Sequence, residues 1–161
     1  MTLVRAATQA DCTALATLHS QCFEQGWEAE FFETALQQGV IWVAGDPLAA
    51  MLVVQTSGQE AEIITFATAP DTRRQGLARA LLTHAIAAAR TLGVSHMFLE
   101  VARDNDGAQS LYGAAGFEQV GVRKGYYQRA CGARVDALVL RLAFGQKGVD
   151  VAPKNAHICP L

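Results

Sequence analysis

A strand–turn–helix–strand succession in the middle of the chain constrains the fold more than any other feature. The apolar segment AEIITFAT (61–68) leads through Arg73-Arg74-Gln75-Gly76 into an alanine-rich stretch whose apolar residues recur at helical spacing as far as Leu92. Gly93 ends this helix, and a second apolar segment, SHMFLEV (95–101), follows it. Two strands joined by a helix form a right-handed crossover and run roughly parallel. The chain should therefore contain a sheet with a helix packed on its face.

Patterns on either side of this unit complete an α+β domain. A capping box at Thr8 and Asp11 predicts a first helix directly after it, and aromatic residues at helical spacing predict a second over 27–36. Alternating apolar residues and tight turns predict three antiparallel strands over 40–68. A helix over 105–116 and a final hairpin follow the crossover. This order indicates a mixed sheet with helices on its faces.

The length of the chain and the end of its periodic pattern predict the domain organisation. At 161 residues it has the size of one ordinary domain, which buries about 70% of the surface that its unfolded form exposes. After Phe144 the segment GQKGVDVAPKNAHICPL loses periodicity and gathers glycine, proline, lysine and asparagine. We predict a single domain over residues 1–144 and a poorly ordered C-terminal tail over residues 145–161.

Charge, hydropathy and cysteines argue against several classes of function. Thirteen basic against fifteen acidic residues give a formal charge of −2, so no direct nucleic-acid partner is expected. The longest apolar run, LAAMLVV (48–54), is shorter than the roughly 20 residues that cross a bilayer, and the N-terminal segment lacks the apolar core of a signal peptide. We therefore expect no membrane association and a cytoplasmic location. The four cysteines form no C-x-x-C pair and have no histidine at ligand spacing, so no metal is expected.

The start of the central helix has the features of an anion site. The first turn of a helix offers N–H groups without intrahelical acceptors, and small residues such as Gly76 and Ala78 let an anion approach them. Arg73 and Arg74 add charged donors at the rim. Neither G-x-x-x-x-G-K-[ST] nor G-x-G-x-x-G is present, so ATP and NAD are not favoured. The pattern predicts a pyrophosphate cradle, with arginines that merely face water as the alternative.

The sequence of this helix start resembles a known family. Residues 73–78 match the [QR]-x-x-G-x-[GA] signature of the GNAT acetyltransferases, and the order of elements over residues 3–143 is similar to that family's. The resemblance implies the GNAT fold, a mixed and mostly antiparallel sheet flanked by helices, with acetyl-CoA as the acetyl donor and no metal. It also implies that six residues bind the pyrophosphate: Arg73, Arg74, Gln75, Gly76, Leu77 and Ala78.

Two further segments are similar to the RimI-type branch, which acetylates the N termini of ribosomal proteins. These are LEVARDNDGAQSLYGAAGF (99–117) and VRKGYY with DALVLRL (122–142). The branch implies Glu100 as general base, Tyr112 as general acid and Asn105 as a contact to the pantetheine arm. The thioester and pantetheine are then held by Phe66, Ala67 and Thr68. The branch more often has Asn-Ile-Ala-Val where this chain has Thr65-Phe66-Ala67-Thr68, so side-chain contacts to the substrate differ.

The chemistry of acyl transfer suits the two candidate catalytic residues. The reaction needs a neutral amine, a polarised carbonyl and a proton for the leaving thiolate. Glu100 lies in an apolar strand, where burial would raise its pKa towards that of a useful base. The phenol of Tyr112, with an ordinary pKa of about 10, is neutral at pH 7 and can protonate a thiolate. The alternatives are that Glu100 points to solvent and that Tyr112 is an ordinary half-buried residue.

The acceptor amine follows from the same acid–base reasoning. A protein α-amino group is about one-third neutral near pH 7.5, whereas a lysine is neutral about one time in a thousand. A carboxylate base therefore favours a protein N terminus, and the resemblance implies that of a ribosomal protein. Trp27, Tyr126 and Tyr127 are predicted to wall a peptide slot, with core packing as the alternative. An acetyltransferase for lysine or a small amine, and a non-catalytic acyl-CoA-binding module, remain the alternative functions.

Overall fold

The computed structural model describes residues 2–145 and the backbone of residues 157 and 158. The helices are α1 (Cys12–Cys22), α2 (Ala29–Gln38), α3 (Leu77–Thr91) and α4 (Asp106–Ala115). The strands are β1 (Val4–Ala6), β2 (Gly39–Ala44), β3 (Ala50–Ser57), β4 (Glu60–Thr68), β5 (His96–Ala102), β6 (Glu118–Gln128), β7 (Arg134–Ala143) and β8 (His157–Ile158). Short 3-10 turns at Gln9–Asp11 and Pro70–Thr72 precede α1 and the loop before α3.

All of the described strands belong to one mixed sheet. Its order is β1-β2-β3-β4-β5-β7-β6, and β8 lies off this path beside β4. The pairs β1–β2, β2–β3, β3–β4, β5–β7 and β6–β7 are antiparallel. The pairs β4–β5 and β4–β8 are parallel. The α+β architecture, the meander, the crossover through α3 and the final hairpin are all confirmed.

Helices cover both faces of the sheet, and each face has its own core. One core joins residues of α3 and α4, among them Leu81, Leu82 and Tyr112, to the sheet. The other joins residues of α1 and α2, such as Leu15 and Phe32, to the opposite face. Successive residues of a strand point to opposite faces, so neighbouring positions of β4 contribute to different cores, Phe66 to the first and Ala67 to the second. We call these the α3/α4 face and the α1/α2 face.

Strands β4 and β5 pair over only three positions and then part. Glu60, Ala61 and Glu62 of β4 face His96, Met97 and Phe98 of β5. Immediately beyond, β4 has an extra residue relative to β3, since Val53 faces Thr65 whereas Val54 faces Ile63. A bulge of this kind bends the strand that carries it. Residues 65–68 of β4 and 99–102 of β5 therefore border an opening, which we call the β4–β5 gap.

The C-terminal strand β8 is placed at this opening. Its backbone pairs with Thr65 and Phe66 of β4 and also approaches β5. The predicted tail over 145–161 otherwise lies outside the described residues, apart from Gly145. The edge of β4 that borders the gap can thus pair in parallel with an extended chain, as it does with β8.

The first helix begins later than its capping box suggested. Residues 9–11 form a 3-10 turn and α1 follows at Cys12. Asp11 accepts a hydrogen bond from the backbone N–H of Thr8 (2.8 Å) and two from the guanidinium of Arg5 (2.8 Å each). These contacts tie β1, which periodicity did not predict, to the start of α1. The Arg5 hydrogen bonds are the main cause that lowers the pKa of Asp11 to about 2.

The depressed pKa of Asp11 predicts an acid-dependent contribution to stability. A carboxyl whose folded pKa lies below its unfolded pKa stabilises the protein above the unfolded value and loses that effect as the pH falls through the folded value. We expect Asp11→Asn to lower the free energy of unfolding by about 1 kcal/mol at pH 7, because Arg5 is half exposed. The difference from the parent protein should vanish near pH 2 in urea titrations. The exposed Asp71, changed to Asn, is the control; an equal loss there would contradict the assignment.

Candidate active site

The start of α3, where the sequence predicts an anion site, has an unusual backbone conformation. Gly76 caps the helix with φ of +85°, in the left-handed region, and Arg74 is also left-handed with φ of +62°. A Cβ on Gly76 would meet no protein atom within 4 Å, so within the protein itself it is the backbone conformation that favours glycine there. Leu77 and Ala78 are partly buried against the core, whereas Arg74 and Gln75 are exposed.

Arg73 connects this cradle to the end of β4. Its Nε donates a hydrogen bond to the backbone carbonyl of Thr68 (3.1 Å), and the thiol of Cys22 donates to the same oxygen (3.4 Å). The hydroxyl of Thr68 itself is buried and has no hydrogen-bond partner among the described residues. Arg73 therefore fixes the loop against the strand that borders the gap, in addition to its predicted role as a charged donor.

Glu100 is fully buried on β5, where that strand borders the gap. Its side chain is 0% exposed, and neither carboxylate oxygen has a hydrogen bond within the described part of the chain. Nη1 of Arg123 lies 3.4 Å from Oε1. Burial raises the pKa of Glu100, and the nearby charge of Arg123 opposes that rise. The alternative in which Glu100 points to solvent is wrong.

Glu100 and Tyr112 lie on opposite faces of the sheet. Leu99 and Val101 pack into the core that contains Tyr112, so Glu100 between them projects towards the α1/α2 face. Tyr112 is 0% exposed, and its ring centroid lies 6.3 Å from that of Phe66 on β4. It is thus more buried than an ordinary half-buried tyrosine. The β4–β5 gap is the opening in the sheet between these two residues.

Asn105 is the N-cap of α4 and not part of the helix itself. Its Oδ1 accepts a hydrogen bond from the backbone N–H of Ala108 (3.3 Å). The helix predicted over 105–116 therefore begins at Asp106 and ends at Ala115, with Asn105 and Gly116 as its two caps. An N-cap satisfies one of the free N–H groups of the first turn, which gives Asn105 a structural role.

Trp27, Tyr126 and Tyr127 are brought together as predicted. They line one cavity of about 800 Å³ on the α1/α2 face, between the α1–α2 connection and the end of β6. Burial and the charge of Glu100 raise the pKa of Tyr127, so its phenol is protonated at neutral pH. Arg129 lies over the Tyr127 ring and forms an ion pair with Asp104 at the rim. The walls are aromatic and the rim is charged.

His19 is a further residue of this cavity, and the sequence pattern did not identify it. Its ring is stacked between Phe23 and Trp27, with centroid distances of 4.2 and 4.4 Å. Nδ1 accepts a hydrogen bond from the backbone N–H of Trp27 (3.1 Å), so a neutral ring carries its proton on Nε2, which faces Thr65 Oγ1 at 3.5 Å. Trp27 lies in the loop beyond α1, so the spacing of the three rings along the sequence does not reveal the stack.

Two classes of site are not found in the described part of the chain. Residues 2–145 contain no group of three or more histidine, cysteine, aspartate or glutamate side chains that could hold a metal ion. None of the helices α1–α4 is long and apolar enough to span a membrane.

Comparison with known proteins identifies the family. A model of the Acetyltransferase (GNAT) family matches residues 12–117. The chain belongs to this family. GNAT enzymes are N-acetyltransferases that use acetyl-CoA as the acetyl donor, so the fold and the donor expected from the helix start are confirmed.

The relatives within the GNAT family fall in the predicted branch. The chain is 37% identical over 97 residues to a [ribosomal protein bS18]-alanine N-acetyltransferase of Haemophilus ducreyi, covering 60% of this chain and 67% of the relative. It is 39% identical over 95 residues to the enzyme of that name from Escherichia coli, covering 59% and 64%. The chain thus spans about two thirds of these curated relatives. A crystal structure of the Escherichia coli ribosomal-protein-S18-alanine N-acetyltransferase superposes with a TM-score of 0.84 at 28% identity, covering 94% of this chain and 99% of that one.

The left-handed conformation of Gly76 predicts the effect of adding a side chain there. An alanine in this conformation costs roughly 1–2 kcal/mol and would shift the helix start. We expect Gly76→Ala to lower the affinity for acetyl-CoA at least tenfold in calorimetric titrations.

Gly58 provides a matched control for this substitution. It is also left-handed, with φ of +60° and no atom within 4 Å of an added Cβ, but it lies in the β3–β4 turn. Gly58→Ala should cost similar stability and leave acetyl-CoA affinity unchanged. Equal losses of affinity in both variants would show that Gly76 acts only through stability.

Proposed function

We propose that this GNAT protein is an N-alpha-acetyltransferase that transfers the acetyl group of acetyl-CoA to the N-terminal amine of a ribosomal protein. The observation that carries the proposal is the buried carboxylate of Glu100, which borders a gap in the sheet on the face that carries the aromatic cavity, with Tyr112 on the other face. Its curated relatives, named for alanine of ribosomal protein bS18, support such a terminus as the acceptor.

The gap and the cradle fit the two ends of the donor. The edge of β4 at Thr65 and Phe66 accepts the extended backbone of β8, and the amide groups of a pantetheine arm could pair with such an edge in the same way. Phe66, Ala67 and Thr68 would hold the arm and supply a backbone N–H for the oxyanion. The N–H groups at the start of α3, with Arg73, Arg74 and Gly76, would hold the pyrophosphate.

The proposed reaction is a direct transfer in which each residue moves one proton. The amine nitrogen attacks the thioester carbonyl carbon, and Glu100 accepts the proton that the amine loses, through water. As the carbon–sulfur bond breaks, the thiolate takes a proton from Tyr112. The products are an amide and the free thiol of CoA, and exchange with solvent returns both residues to their starting states. The enzyme forms no covalent intermediate.

The geometry favours this function over the alternatives. A cavity of about 800 Å³, lined in part by Tyr127, whose pKa the charge of Glu100 helps to raise, suits an extended peptide better than a small amine. Burying a carboxylate without hydrogen bonds is costly, and a module that only binds acyl-CoA has no need of it. The acid–base reasoning further favours an α-amine over lysine.

A peptide panel tests the acceptor. The purified protein is incubated with acetyl-CoA and short peptides that begin with alanine and differ only in a free or blocked α-amine and in the presence of lysine. We expect release of CoA thiol that requires the free α-amine and is unaffected by lysine. Release with lysine peptides alone, or with small amines alone, would overturn the acceptor. No release despite calorimetric binding of acetyl-CoA would support the binding module.

Two conservative variants test the assigned proton transfers. Glu100→Gln removes the base and Tyr112→Phe removes the acid, and positioned acids and bases each contribute roughly 100- to 10,000-fold to rates. We expect each variant to lower kcat about 100-fold or more, while acetyl-CoA affinity changes less than threefold. Phe117→Leu, which alters the neighbouring aromatic contact of Tyr112, is a packing control. Full turnover in both variants would disprove this mechanism.

A further inference from the structure

We propose that Arg123 is a positioning residue for acetyl transfer, which, held against Tyr126, keeps the Glu100 carboxylate charged and oriented towards the gap. This inference rests on the proposed function, because it takes Glu100 as the base. The GNAT signature at residues 73–78 includes none of these residues. Arg123 and Tyr126 lie on β6, in the hairpin of β6 and β7, and Glu100 lies on β5.

The sheet register brings Arg123 to Glu100 across an intervening strand. Glu100 of β5 faces Val139 of β7, and Arg123 of β6 faces Ala137 of the same strand. Directly paired residues share a face of the sheet, and so do positions 137 and 139, so all four side chains lie on the α1/α2 face. The small Ala137 leaves room for the arginine side chain, whose Nη1 ends 3.4 Å from Oε1 of Glu100.

An irregularity in β6 gives the guanidinium of Arg123 a second contact, with Tyr126, in addition to the one with Glu100. The pairing of β6 with β7 shifts between Arg123 and Tyr127, and Gly125 within the shift is left-handed with φ of +61°. Asp136 of β7 holds this conformation, because its Oδ1 accepts a hydrogen bond from the backbone N–H of Gly125 (2.9 Å). The shift brings the Tyr126 ring to 5.0 Å from Cζ of Arg123, within the range of a cation–π contact.

The other charged groups in this region have contacts of their own. Tyr127 is neutral, because burial and the charge of Glu100 raise its pKa. Arg129 pairs with Asp104, and Asp136 pairs with Arg103. Tyr112 lies on the far face of the sheet. Arg123 is therefore the cation that opposes the effect of burial on Glu100.

A carboxyl group must be ionised to act as a base, so the direction in which the pH dependence of activity shifts tests the role of Arg123. Burial favours the protonated form of Glu100, and Arg123 favours the ionised form. Removing the charge of Arg123 should therefore raise the pKa of Glu100, so that activity is lost at a higher pH on the acidic side. An opposite charge at this distance shifts a carboxyl by roughly 1–3 pH units, and the partial exposure of Arg123 places the expected shift at about one unit.

The experiment compares kcat against pH for a set of variants, at saturating acetyl-CoA and saturating alanine-terminated peptide, from pH 5.5 to 9. In Arg123→Gln and Arg123→Met the midpoint of the acidic limb of the kcat profile should move to higher pH by about one unit. In Arg123→Lys, which keeps the charge, the limb should stay in place. Tyr126→Leu keeps the charge but loses the ring contact, so its limb should move less than half as far as that of Arg123→Gln. The two neutral variants differ in polarity, so a folding defect in one leaves the other to decide.

Arg90→Gln is the matched control, because Arg90 also lies over an aromatic ring, that of Phe144 at 5.2 Å, but on the outer end of α3. It should leave both the limb and kcat unchanged. A lower kcat at every pH, with the midpoint of the limb unmoved in both neutral variants, would overturn the inference by showing a structural role alone. Turnover that survives in Glu100→Gln would instead overturn the proposed function, so the two failures are distinguishable.

Discussion

The parting of β4 and β5 after three residue pairs is the feature on which the site depends. Parallel strands normally continue side by side, and here the extra residue in β4 bends that strand away just past Glu62. On the side of β4 away from β3, the parting leaves the backbone N–H and C=O groups of residues 65–68 unpaired with β5. Such groups require partners. The pairing of β8 with Thr65 and Phe66 shows how an extended chain satisfies them.

The same opening connects two faces that the sheet would otherwise separate. Glu100 belongs to the face that carries the aromatic cavity, and Tyr112 belongs to the face covered by α3 and α4. An acyl transfer needs proton acceptance and proton donation at different atoms, the amine nitrogen and the leaving sulfur. A base and an acid on opposite sides of a bound thioester meet this need without exchanging protons with each other. Under the proposed function, the gap would determine both where an acceptor enters and where the leaving group is protonated.

The local sequence pattern was sufficient to predict the helices and most of the strands. It was insufficient to predict contacts between segments that are distant in the sequence. The strand, the helix start and the hairpin each have a strong short-range signal, so the α+β class and the start of α3 could be predicted. The three-residue strand β1 is too short to show periodicity. The face of Glu100 could not be derived by alternation, because MFLEV is apolar on both sides and reads the same in either register. The contact with Arg123 depends on the pairing of β5, β7 and β6, and the stack of His19 on Trp27 depends on the path of a loop.

The resemblance supplied roles for single residues, and the structure adds the environment in which those roles would operate. A buried carboxylate alone would hold its proton too firmly to serve as a base near neutral pH. A carboxylate with an ordinary pKa would be a weak acceptor for the proton of an α-ammonium group, whose own pKa is near 8. Burial raises the pKa of Glu100 towards that of the acceptor, and the charge of Arg123 opposes this rise, so two opposing effects set the affinity of the carboxylate for a proton. The guanidinium of Arg123 is partly exposed and lies over the ring of Tyr126, which lines the cavity. A peptide that entered the cavity would therefore change the hydration of this guanidinium. The strength of the base would then respond to the presence of the acceptor itself.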